Sequence, residues 1–195
     1  MDNKKVKGYA YGVIASVSYG LNPLFALPLY ASGIRVDSVL FYRYVFALLF
    51  LAVMMKMSGQ SFALKRNEIL PVAVMGLLFS FSSLFLFQSF NYMDAGIAST
   101  ILFMYPVLVA VIMAVFFKER LSVVKIASIA TAFVGISMLY KGEGGATLSM
   151  TGVCLVLMSS LTYALYIVGV NRSSLKEMPG LKLTFYAILF GSLVY

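Results

Sequence analysis

Residues 95–117 read AGIASTILFMYPVLVAVIMAVFF, and no charged side chain interrupts them. At about 1.5 Å of rise per residue, such a run extends roughly 34 Å as a helix, enough to cross a hydrocarbon core of ~30 Å. Outward from it, similar runs occupy 9–31, 39–57, 69–90, 123–140 and 148–170, and a seventh starts at 183 and reaches Tyr195. Hydrophobic residues make up 62% of the chain and charged ones 11%, with the charges gathered between the runs. A water-soluble core does not tolerate apolar blocks of that length. The fold class read from the sequence is all-α and polytopic. Each run is a helix because lipid offers the backbone no partner but itself.

The net charge of +8 could point to nucleic acid, but its placement excludes that reading. If the runs alternate across a bilayer, twelve of the fifteen Lys and Arg residues fall on one side, from Lys4 and Lys5 through Lys118 to Lys182. The other side receives only Arg35 and Lys141, and Arg43 lies within the second run. A nucleic-acid surface gathers its cations on one folded face, whereas these are scattered through short loops. The positive-inside rule instead puts the N-terminus in the cytoplasm of a multi-pass protein of the plasma or inner membrane. The first run is too long for a signal core and carries Asn22-Pro23, so it reads as a retained span. The single Cys154 cannot form an intramolecular disulfide.

A shift of 144 positions lays the end of the chain on its beginning without a gap. Gly8 falls on Gly152, Ser16 on Ser160, Tyr19 on Tyr163, Phe41 on Phe185, Tyr42 on Tyr186 and Phe46 on Phe190. The offset contains five spans, an odd number, so the second copy enters the membrane inverted. Inverted repeats are a signature of transporter folds. The expected organisation is a first five-helix repeat over 1–140, a linker over 141–147, and the start of an inverted second repeat over 148–195, truncated within the seventh span.

Residues 87–136 read FQSFNYMDAGIASTILFMYPVLVAVIMAVFFKERLSVVKIASIATAFVGI. Small residues open a helix after Tyr92 (Ala95, Ala98, Ser99), Pro106 sits mid-helix, Glu119 closes the helix in KERLS, and Gly135 lies in the next run. With Arg43 early in the second span and Asn22-Pro23 in the first, this order resembles the EamA domain of the drug/metabolite transporter superfamily. The resemblance covers essentially the whole chain. It implies a five-plus-five helix secondary transporter, often an exporter of amino acids or other small metabolites, of which this chain holds one complete repeat.

Candidate substrate-binding residues are the polar and aromatic groups inside the runs. Pro23 and Pro106 cannot donate to the carbonyls of Tyr19 and Leu102, four residues earlier, which are thereby opened to other donors. In lipid those donors come from protein or a wet cavity. Both prolines are candidate hinges, a packed kink being the alternative. Asn22 adds an amide beside the first, and Gln88 and Asn91 are three apart near the end of the third run, above Ser80 and Ser83. Intramembrane polar groups face protein or water, so these are either path-lining or interhelical bonds. Tyr19, Thr100, Tyr105, Tyr163 and Tyr166 would supply ring faces and hydroxyls to a central pocket. Arg43 lies about five residues into its span, roughly 7 Å deep, and either snorkels or reads an anionic substrate group. Glu119 reads as a helix-end carboxylate paired with basic surroundings, and Asp94 as a helix N-cap.

Without a histidine the chain has no imidazole acid–base chemistry or His metal ligation. Lys141-Gly-Glu-Gly-Gly lacks the Gly-Lys-Ser/Thr of a phosphate loop. Neither a cofactor nor a metal is expected. No Asp or Glu lies mid-span, so these runs offer no carboxylate for proton coupling. The expected partners are a small-molecule substrate, the lipid bilayer, and the second half of the chain or a second copy. The leading reading is a non-enzymatic secondary transporter working by alternating access. A multidrug or other small-solute efflux carrier is the nearest rival, and a non-transporting membrane scaffold or membrane enzyme the more distant one. An enzyme would need a convergent catalytic set such as paired carboxylates at one depth.

Overall fold

The computed structural model describes residues 3–119 and 149–195, together with 127, 130, 131, 134 and 135. The expected fifth span at 123–140 otherwise lies outside the described residues, as does the linker at 141–147. Among the described residues every regular element is helical. Five stretches are long and apolar enough to cross a membrane: Gly8–Ala31, Val36–Met57, Arg66–Ser89, Ala95–Phe117 and Met150–Arg172. A shorter apolar helix covers Gly180–Val194. The chain is a multi-pass membrane protein, as its hydrophobic runs require.

Two compact units divide it, Met1–Arg35 and Val36–Tyr195. The first holds α1 (Asn3–Gly20) and α2 (Asn22–Ala31), broken at Leu21. Pro23 sits at the start of α2, where a missing N–H is least costly. The Leu21 amide still reaches the Val17 carbonyl at 3.1 Å and the Phe25 amide reaches Leu21 at 3.4 Å, so the ladder bends there and continues.

The second unit contains α3 (Val36–Met57), α4 (Arg66–Ser89), α5 (Ala95–Leu102), α6 (Tyr105–Phe117), α7 (Met150–Arg172) and α8 (Gly180–Gly191). Helix α4 is central and packs against α3, α5, α7 and α8, while α7 also covers α5 and α6. A 3-10 turn over Ser174–Glu177 drops Leu175 into a core with Val72 and Leu183, where the ends of α4, α7 and α8 meet.

Small residues make these crossings close, because in lipid the helices associate through packing and hydrogen bonds. Gly76 and Ser80 lie four apart on α4, as do Ala187 and Gly191 on α8. A Cβ at Gly76 would stand 2.6 Å from the Ala187 carbonyl oxygen, and one at Gly191 2.8 Å from the Gly76 carbonyl oxygen. Across the α4–α7 contact, buried Ser82 and Ser159 each donate to the other's backbone carbonyl, at 3.0 and 2.7 Å. Interhelical bonds of this kind contribute on average about 0.6 kcal/mol in membranes. Gly76→Val should therefore push α8 off α4. The expected cost is at least about 1–3 kcal/mol, as for other overpacked sites, seen as a lower thermal midpoint in detergent. An unchanged midpoint would contradict the close crossing.

Local termini follow the sequence. The Asp94 carboxylate accepts the Gly96 and Ile97 amides at 2.8 and 3.1 Å, so it is the N-cap of α5. At the other end of this span Lys118 takes a left-handed backbone conformation, φ 53°, and closes α6. That turn aims Glu119 back at α7, and its carboxylate pairs with Arg172 at 3.5 Å.

Candidate functional site

The run at 95–117 is one span and two helices. Phe103 and Met104 form a turn, and α6 restarts at Tyr105-Pro106. The proline lies in the first turn of α6, where it needs no hydrogen bond. The Leu102 carbonyl, which Pro106 cannot serve, accepts the hydroxyl of Ser160 on α7 at 3.2 Å. Ser160 also shares its hydroxyl with the Val156 carbonyl at 2.9 Å and is wholly buried. The freed carbonyl expected from the sequence is thus satisfied by protein, from the next helix.

Beside this break runs a row of aromatic rings. Tyr105 on α6 meets Tyr163 on α7 edge to face at 4.8 Å. Tyr163 and Tyr166 stack at 5.9 Å, one helical turn apart, and both lie against Phe79 of α4, at 6.3 and 5.3 Å. Phe79 in turn stacks on Tyr44 of α3 at 6.5 Å. Polar atoms cluster at that end. Ser80 donates to the Tyr44 hydroxyl at 3.1 Å, Tyr44 approaches Ser83 at 3.4 Å, and the Tyr195 hydroxyl donates to the Ser80 carbonyl at 2.6 Å.

The row lies at mid-depth. Phe79 and Tyr105 are each ten residues from the helix ends at Ser89 and Ala95 that one turn joins. That is about 15 Å along either helix, half of a ~30 Å core. Electron-rich ring faces, tyrosine hydroxyls and the N-terminus of a half-helix meet there. Ring faces attract cations, and a helix N-terminus carries roughly half a positive charge.

The structure brings Tyr105, Pro106, Tyr163 and Tyr166 together, and within the second unit it places Arg43, Gln88, Asn91 and Thr100 at other positions. Tyr19, Asn22 and Pro23 belong to the first unit, at the α1–α2 junction. Arg43 neighbours Tyr44 in sequence, but its guanidinium lies over the Phe87 ring of α4, 4.6 Å from the centroid. Gln88 is half-buried near the end of α4. Asn91 does not continue its helical face: α4 ends at Ser89, and Asn91 sits in the following turn with its amide on the Gln88 carbonyl at 3.2 Å. Thr100 is exposed and bonds back to the Gly96 carbonyl at 2.8 Å. Sequence reasoning missed Tyr44, Phe79 and the Ser82–Ser159 pair. Tyr44 and Phe79 stand in apolar runs full of other aromatics, and only the Ser80–Ser83 serine cluster marks that level of α4.

The EamA-like transporter family matches residues 6–141. Among curated relatives, the uncharacterized transporter YxxF of Bacillus subtilis is 29% identical over 131 residues, 65% of this chain and 42% of that protein. An uncharacterized transporter of Archaeoglobus fulgidus is 28% identical over 102 residues, 52% of this chain and 36% of that protein. The uncharacterized transporter YvbV of Bacillus subtilis is 29% identical over 104 residues, 52% of this chain and 34% of that protein. The matched stretches thus span less than half the length of these relatives. No solved structure matches the chain. A broken fourth span, small-residue helix crossings and a family match over more than half the chain agree, and the chain belongs to the EamA-like transporter family.

Proposed function

We propose that the protein is a secondary carrier of small organic solutes, with amino acids as the favoured class, exporting them by alternating access. The observation that carries this reading is the mid-depth tyrosine row beside the break between α5 and α6. Transporter sites are commonly built at discontinuous helices, where a half-helix N-terminus faces an anionic group. An amino acid offers a carboxylate for the start of α6 and an ammonium for the ring faces of Tyr105, Tyr163 and Tyr166. Hinge motion at Pro106, and at Pro23 in the first unit, would open one side of the membrane at a time. Gln88, Asn91 and Thr100 are read as secondary contacts in the second unit, and Asn22 as a polar contact in the first.

Alternating access uses two halves, so the carrier is read as a five-plus-five assembly. Residues 148–195 would begin an inverted second repeat, completed by further chain or by a second copy. The distribution of Lys and Arg favours a cytoplasmic N-terminus in the plasma or inner membrane.

Counterflow in proteoliposomes tests the function. Vesicles loaded with one unlabelled amino acid should accumulate its labelled form, and the protein-free control should not. Accumulation of amphipathic drugs alone would favour multidrug efflux, and no accumulation of any solute would sink the carrier reading. Arg43, held over Phe87, is assigned the collection of anionic solutes. Arg43→Lys keeps the charge but loses the planar fork, so transport of acidic solutes should fall about tenfold with expression retained. Equal loss of folded protein in Arg43→Lys and Arg43→Ala would make it a structural residue.

A further inference from the structure

The ends of α6 and α7 enclose a cleft of about 360 Å³ to which no residue of the tyrosine row contributes. Its inner wall is apolar, formed by Val109, Met113 and Ile167, and its rim carries Glu119, Arg172 and Lys176. Arg172 is the last residue of a membrane-length helix, which puts the rim at the level of lipid headgroups. Its guanidinium lies over the Phe117 ring at 4.6 Å and meets Glu119 at 3.5 Å. Both members of that ion pair are exposed, 44% and 42%, so the pair is weakly held and the guanidinium keeps donors to spare. Lys176 forms no ion pair among the described residues. Among the described residues that line it, two cations face one carboxylate, and above an apolar wall that descends into the bilayer they match an anionic amphiphile.

We infer that this cleft seats an anionic phospholipid, its phosphate on Arg172 and Lys176 and an acyl chain along Val109, Met113 and Ile167. With the N-terminus in the cytoplasm, the lipid belongs to the cytoplasmic leaflet. A planar guanidinium suits a phosphate, and basic pockets between transmembrane helices are known lipid-headgroup sites. Glu119 competes with the phosphate for Arg172. Lipid occupancy therefore loosens the link between the fourth span and α7. The inference stands whether or not the tyrosine row carries solute.

The test is lipid binding to the purified full chain in neutral detergent, followed by native mass spectrometry. Phosphatidylglycerol and phosphatidylcholine of identical acyl chains are compared, with soluble glycerol phosphate as a third arm. Phosphatidylglycerol should bind at least fivefold more tightly than phosphatidylcholine. Lys176→Gln and Arg172→Gln should each remove most of that preference, and Glu119→Gln should increase phosphatidylglycerol affinity two- to fivefold. Lys176 is exposed, so its variant reports even if Arg172→Gln fails to fold. Equal binding of the two lipids, or a preference that survives Lys176→Gln, would overturn the inference. Competition by glycerol phosphate at equal concentration would also overturn it, assigning the cleft to free phosphate esters.

Discussion

Ser160→Ala is expected to destabilise the protein by about 1–3 kcal/mol, the cost of leaving a buried acceptor unmet. The Leu102 carbonyl loses the only non-local donor it has among the described residues, and Leu102 is 3% exposed. Thermal unfolding in detergent should show a midpoint lower by roughly 2–12 °C. Pro106→Ala supplies the missing amide four residues after Leu102. It should therefore rescue part of the Ser160→Ala defect, giving a coupling of at least about 0.5 kcal/mol in a double-mutant cycle. The rescued protein should transport slowly, because a continuous fourth span favours one access state over the other. Strict additivity would mean that Ser160 and Pro106 do not share the Leu102 carbonyl.

Tyr163→Ala should lower transport at least about tenfold with little change in expression. This side chain touches Tyr105, Tyr166 and Phe79, so its removal opens the row at its centre. A ring face contributes about 0.5–2 kcal/mol to a cation, a factor of roughly 2–30 in binding. Tyr163→Phe keeps the face and loses the hydroxyl, and it should retain transport within about threefold. If Tyr163→Phe fails as badly as Tyr163→Ala, the hydroxyl and not the ring reads the solute. Initial rates at saturating and limiting solute separate weaker binding from slower turnover.

Much of this was legible in the sequence because lipid simplifies folding. An uncharged run of bilayer length has one solution for its backbone, so the spans among the described residues could be placed within a few residues. Pro106 announced the break in the fourth span, and the 144-residue shift singled out Ser160 and Tyr163 without saying what they touch. The partners were not legible. Nothing in the order of residues says that Ser160 meets Leu102, or that Phe79 rather than Phe81 joins the tyrosines. Those choices depend on helix rotation, and the serines of α4 at 80, 82, 83 and 89 are spread around the helix, which leaves no single polar face to orient it. Glycine spacing could have helped, since Gly76–Ser80 and Ala187–Gly191 mark the crossing that sets the rotation of α4. Gln88 and Asn91, three apart in sequence, do not share a helical face because α4 stops at Ser89, between them.

The proposed wet, solute-accessible path past the tyrosine row at mid-depth is probed most directly by a cysteine at Ser83. Ser83 is half-buried beside the Tyr44 hydroxyl, at 3.4 Å, and a thiol there changes little volume. In a Cys154→Ser background, Ser83→Cys should react with a membrane-impermeant thiol reagent, and a transported amino acid should slow that reaction. A thiol that never reacts from either side of the membrane, or reacts at a rate no solute alters, would contradict a path through the tyrosine row.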